Sequence, residues 1–238
     1  MAALMKTSPI IRAERRFFLI MAIALTGTVL LGFGMGLQRM SWNIKAMPIQ
    51  VHIHAALFFG WMILYVVQNW LVDRGAIAGH RQLGMLMAGL SPALPIVGIA
   101  TTVLAIRMHR VPPVFDPGLF LALDLQLVGF ALLTGWALLL RARSDWHKRL
   151  MLCGTILVTS PALGRIIPLP LLGPFGTWAV YAATMLYLVT AMLFDHQVQG
   201  RVHTAYWWGA AVLAAVQLLL GPVGASAPVA RLVERISA

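Results

Sequence analysis

Residues 49–72 run for 24 positions without an Asp, Glu, Lys or Arg. An α-helix rises about 1.5 Å per residue, so this stretch is about 36 Å long as a helix and crosses the roughly 30 Å hydrocarbon core of a bilayer. At about 100° per residue, His54, Phe58, Trp61, Tyr65 and Gln68 fall on one stripe, and His52 points away from it. Lipid gives nothing to a stripe that is polar at both ends and aromatic between. The stripe is therefore expected to face into a bundle and to find partners there.

Comparable apolar stretches occupy residues 17–37, 81–106, 118–140, 150–167, 174–194 and 205–223. With 60% hydrophobic and 11% charged residues, the chain has too little polar surface to cover a soluble domain of 238 residues. The expected fold class is all-α: an integral membrane bundle of seven transmembrane helices. Residues 1–16 form a cytoplasmic N-terminal segment, 17–223 the transmembrane domain and 224–238 a short C-terminal tail. The first span is longer than the apolar core of a secretion signal, so an uncleaved helix is expected. The loops are too short to hold a further domain.

The net charge of +11 sits in these short loops rather than in one patch, which excludes a nucleic-acid surface and points to membrane orientation. With the N-terminus inside, eleven of the 18 Lys and Arg fall on the inner side and seven on the outer. That bias predicts an N-in, C-out topology. Trp42, Trp70, Trp146, Trp178, Trp207 and Trp208 lie near span ends, where indole rings favour the headgroup region. Cys153 stands alone in an apolar run and reads as a packing residue. Pro92 and Pro95 in the third span, and Pro161 in the fifth, each remove a helical hydrogen bond and are expected to kink their helices.

Sorted by depth, the ionisable groups form two layers. His52, His54, Asp124 and Arg165 come out near the outer face; His80, His147, Asp195, His196 and His203 come out near the inner face. His147 and Arg165 are five turns apart, on one face, with about 27 Å between them. Asp124 lies two turns inside its span, where an acid is costly unless it is paired, protonated or metal-bound. It is expected either to pair with Arg165 and fix helix order, or to serve in proton transfer or metal ligation with His54. His80 and His147 each open a span on the same side, next to Arg81 and to Lys148-Arg149. Two readings stand for them: ligation of a haem iron or another metal through neutral imidazole, or interfacial anchoring.

The motifs His80-Arg81-Gln82-Leu83-Gly84 and His147-Lys148-Arg149-Leu150-Met151, with Arg165 later on the same helix, resemble those of an uncharacterised family of bacterial polytopic membrane proteins. The resemblance covers residues 51–165. In that pattern His52 or His54 corresponds to the family's first membrane histidine. More distantly, the chain is similar to small proteins linked to cytochrome oxidase assembly and to di-haem transmembrane cytochromes. Those cytochromes carry two well-spaced histidine pairs, whereas the outer layer here offers only His52 and His54, both on one helix.

The resulting expectation is a membrane redox or metallocofactor protein linked to respiratory-chain function or assembly. In this reading His80 and His147 ligate a haem or metal ion. Arg165 supplies a planar fork for a carboxylate, and the layer with His54 and Asp124 takes a propionate, a quinone headgroup or a second metal. The expected partners are the lipid bilayer, a quinone or subunits of a respiratory complex, and not nucleic acid. Two alternatives stand beside it: a proton-coupled transporter titrating at Asp124 and His54, and a non-catalytic assembly or scaffold subunit whose intramembrane charges specify packing.

Overall fold

The computed structural model describes residues 9–39, 45 and 47–238. Trp42 and residues 1–8 of the N-terminal segment lie outside the described residues. Within them the chain is helical, in the order α1 (Pro9–Arg39), α2 (Ile49–Asp73), α3 (Ile77–Leu90), α4 (Ala93–Arg107), α5 (Pro117–Ala122), α6 (Leu125–Leu139), α7 (Ser144–Ile166), α8 (Leu169–Leu172), α9 (Gly176–Gln199), α10 (Thr204–Gly224) and α11 (Ala227–Ser237). Six segments are long and apolar enough to cross a membrane: α1, α2, α3 with α4, α5 with α6, α8 with α9, and α10. The helical class stands as expected. The seventh stretch differs from the other six.

That stretch is α7, whose 23 residues include Asp145, Lys148, Arg149 and Arg165. These charges lower its mean hydropathy, so it does not qualify beside the other six. Its environment explains how it carries them. Leu152 through Ser160 are buried without interruption, because α1, α6, α9 and α10 surround the helix. A helix enclosed by protein on every side is not solvated by lipid, so polar groups on it need only protein partners.

Close approach of the neighbouring backbones makes that enclosure possible. Gly32 on α1 lies directly against the backbone of Ala162, and Gly209 on α10 against the side chain of Cys153, with no room at either for a Cβ. Small residues at such crossings let helices pack where no hydrophobic driving force separates protein from lipid. Leu25, Phe130, Leu133, Leu150, Ile156, Leu188 and Leu213 fill the core around α7 from five helices. The aromatic stripe of α2 faces this core as expected, with Trp61, Tyr65 and Gln68 buried and the Trp61 ring set edge-on against Phe130.

The third span bends at Ser91 and Pro92, as expected: both keep right-handed helical dihedrals, and α3 and α4 together make one span. Pro92 lacks an N–H and precedes α4, and Pro95 falls in the first turn of α4, where backbone donors have no helical acceptor in any case. Pro161, by contrast, is accommodated inside a continuous α7. α5 and α6 join at Leu123 and Asp124. The expected C-terminal tail folds into α11, whose residues Val229, Leu232, Val233 and Ile236 share one side and Arg231, Glu234 and Arg235 the other. It lies against α4 and α5.

A Gly32→Ala variant is expected to lose about 1–3 kcal/mol of stability, because the new methyl meets backbone that cannot yield. Gly34→Ala, two residues along and facing open space, is expected to be neutral or to gain up to about 1 kcal/mol. Thermal unfolding of the two purified variants, followed in detergent by size-exclusion fluorescence, checks the contrast.

Candidate cofactor site

At the end of the bundle where α7 begins, Arg149 is fully buried. A guanidinium cannot shed its charge, so burial demands that its donors be matched. They are. Nε and Nη2 donate to the two oxygens of Asp195 on α9 at 2.8 and 2.7 Å, Nη2 also reaches Glu14 on α1 at 3.1 Å, and Nη1 donates to the Asp145 carbonyl at 2.9 Å. Lys148 binds the other Glu14 oxygen at 2.7 Å, and Gln199 donates to Glu14 as well. Two cations and two carboxylates therefore balance at one depth.

The His203 amide donates to Asp195, and the face of the Tyr206 ring stands 5.7 Å from the guanidinium carbon. His203 Nδ1 accepts from the Ala205 amide, which leaves Nε2 to donate to Asp145 at 3.1 Å. The network joins α1, α7, α9 and α10 and sets their register. His196, placed in the same layer by sequence, is exposed.

His80 and His147 come together at this same end. His80 stands in the first turn of α3 and His147 in the first turn of α7, with 6.5 Å between ring centroids and planes crossing at 77°. Nδ1 of His147 lies 2.8 Å from the Ala137 carbonyl oxygen. A carbonyl only accepts, so Nδ1 carries the proton and Nε2 of the neutral ring keeps its lone pair. A histidine anchored through one nitrogen and free at the other is the usual arrangement of a metal ligand. The His80 ring lies against the Gln68 backbone carbonyl, although its buried Nδ1 makes no well-formed hydrogen bond, and both amide atoms of the Gln68 side chain on α2 are buried without a partner. Gln68 packs against Gly84, one turn beyond His80 on α3.

In the other layer Arg165 stands close enough to His54 for its charge to act on the ring, while Asp124 turns to α4. Asp124 forms no ion pair with Arg165, contrary to that expectation: one oxygen accepts from Thr102 at 2.9 Å and the other is buried without a partner. Asp124 stands at the joint between α5 and α6, within reach of the Thr102 hydroxyl on α4. Arg165 instead stacks 4.2 Å from the Phe33 ring and donates to the Pro161 carbonyl at 2.8 Å. His54 stacks on Phe58 at 4.3 Å, with Nδ1 buried and unpartnered. Among the described residues no three His, Cys, Asp or Glu side chains gather as a metal cluster. A protein-only metal site at His54 and Asp124 is therefore short of ligands, whereas a pair of histidines suffices for a metal whose other ligands come from a macrocycle.

The ion network of Glu14, Arg149 and Asp195 was not foreseen from sequence, which placed Arg149 only in the motif after His147 and gave Glu14 no role. One signal pointed to it: Glu14 is the only acid before Asp73 in a chain that has seven. Compared with family models, with curated proteins and with solved structures, the chain matches none.

Removing one partner of the buried pair leaves an uncompensated charge, so Asp195→Asn is expected to cost about 3–5 kcal/mol. The double variant Arg149→Met, Asp195→Leu removes both charges and is expected to recover much of that loss. Melting temperatures of the three proteins, measured in one detergent, report the difference.

Proposed function

We propose that the protein is a redox protein of a bacterial inner membrane that holds a haem, or failing that a single metal ion, between His80 and His147. In this reading α7 is a seventh span, sheltered by the six apolar ones, and the chain runs N-in, C-out. The observation that carries the reading is the convergence of two imidazoles from different helices, one with its tautomer set by a backbone carbonyl. Two nitrogens that bind one metal at about 2 Å would stand no more than about 4 Å apart. Rings whose centroids are 6.5 Å apart match that span when each presents one nitrogen. A haem bound there would carry single electrons.

The chain's own part is positioning. Ala137 orients the His147 ring, and the Arg149 network two residues along α7 holds that helix in register with α9 and α10. A proton-coupled carrier remains the second reading, favoured by the unpartnered atoms of Asp124 and His54. Loss of substrate uptake in Asp124→Asn, with the fold intact, would support it.

Protein purified in mild detergent is expected to carry a Soret band with stoichiometric iron, both lost in His147→Ala and in His80→Ala and kept in Arg165→Ala. Neither chromophore nor metal above trace by elemental analysis would remove the reading. Topology is tested independently, since the single native cysteine, Cys153, is buried. A membrane-impermeant maleimide is expected to label Ala238→Cys in intact cells and Arg141→Cys only after lysis.

A further inference from the structure

Gln68 is the most informative polar residue that the proposed ligand pair does not use. It is 6% exposed, and neither its amide nitrogen nor its amide oxygen has a partner. A polar group left unmatched in an apolar interior is costly, and two such atoms on one side chain point to a ligand that satisfies them. The amide nitrogen lies against Gly84, where a Cβ would stand 3.6 Å away, and His80, whose buried Nδ1 makes no well-formed hydrogen bond, is one turn earlier on α3. Donors and an acceptor from two helices thus meet at one depth.

An apolar cavity begins one turn further into the membrane. Leu64 and Met87, next along α2 and α3 from Gln68 and Gly84, line a space of about 80 Å³ that continues past Trp61 and Leu90 to Ala56 and Leu94. From Ala56 to Leu64 it follows α2 for about 12 Å. Its volume is about half that of a cavity of roughly 150 Å³ that admits benzene, so it suits a slender chain rather than a ring. Ala56 at its rim is exposed, which opens the space sideways to lipid.

The two parts describe one amphiphile, with an oxygen-bearing head at Gln68 and His80 and an aliphatic tail in the cavity. The head is uncharged. Of the cations at this end, Lys148 and Arg149 are already held by Glu14 and Asp195, and Arg81, next to His80 on α3, is exposed. An amide both donates and accepts, so Gln68 can donate to a carbonyl oxygen and accept from a hydroxyl at the same position. We propose that this seam binds a lipid-soluble quinone, its head against Gln68 and His80 and its isoprenoid tail between α2 and the α3–α4 pair. The proposal rests on the redox reading of the protein and assigns that reading its partner and the partner's site.

The test is equilibrium dialysis of ubiquinone bearing one isoprenoid unit against the full chain in phosphatidylcholine nanodiscs. Wild type is expected to bind saturably. Gln68→Leu is expected to raise Kd about tenfold, as loss of the head's hydrogen bonds implies. Gly60→Leu fills the cavity from a position with open space around it. It is expected to weaken the tailed quinone while leaving the weaker binding of tail-less dimethoxy-methyl-benzoquinone unchanged. Size-exclusion profiles and far-UV circular dichroism confirm folding. Gln68→Leu removes only unpartnered atoms and should melt no lower than wild type.

Absence of saturable binding to wild type, equal binding by all three proteins, or displacement by phosphatidylglycerol as effective as by the quinone would each overturn the proposal. Quinone binding without a Soret band would leave this site standing and remove the haem. A Soret band without quinone binding would do the reverse.

Discussion

A guanidinium with no exposed surface dictates much of this architecture. Arg149 keeps its charge under any condition the cell offers, so every helix near it must supply an oxygen or stay away. Asp195, Glu14 and the Asp145 carbonyl supply them from α9, α1 and the first turn of α7. The pair is bidentate, which restrains rotation of α7 against α9 as well as their separation. Breaking such a pair is costly while replacing it by apolar groups need not be. The pair is thus a device for specifying one arrangement of helices rather than a large source of stability.

That arrangement is what makes a candidate site of two unremarkable histidines. His147 lies two residues before Arg149, so the register imposed by the ion network also places the imidazole. The Ala137 carbonyl then selects one tautomer, and α3, bent against its partner α4 at Ser91–Pro92, brings His80 to within 6.5 Å. Gln68 and the cavity beyond it belong to the same seam. The apolar space lies where α3 passes into α4 against α2, lined by Met87 and Leu90 of the one and Leu94 of the other.

Much of this was legible in the order of residues. The stripe of α2 is a direct consequence of helical periodicity, and it faces the core as that periodicity requires. The bend at Pro92 follows from the missing amide hydrogen. Asp124 marks where such reasoning stops. Depth alone placed it beside Arg165, but it stands at the joint between α5 and α6, which carries no proline, within reach of Thr102. Glu14 was overlooked for a related reason: it is 134 residues from Lys148 and 135 from Arg149, and no local pattern links positions so far apart.

The linear chain by itself determined the solvent. Runs of about twenty residues without charge leave the backbone no water to bond with, so helices were the available structure and a bilayer their natural surroundings. It also determined which helix faces turn inward, because periodicity is a local property. Tertiary structure alone decided which helix occupies the centre. Hydropathy ranks α7 last, yet it is the most enclosed, because a buried charge is tolerated only where folded neighbours place oxygens within about 3 Å. Whether that condition holds depends on distances between remote residues, and only the packed bundle sets those.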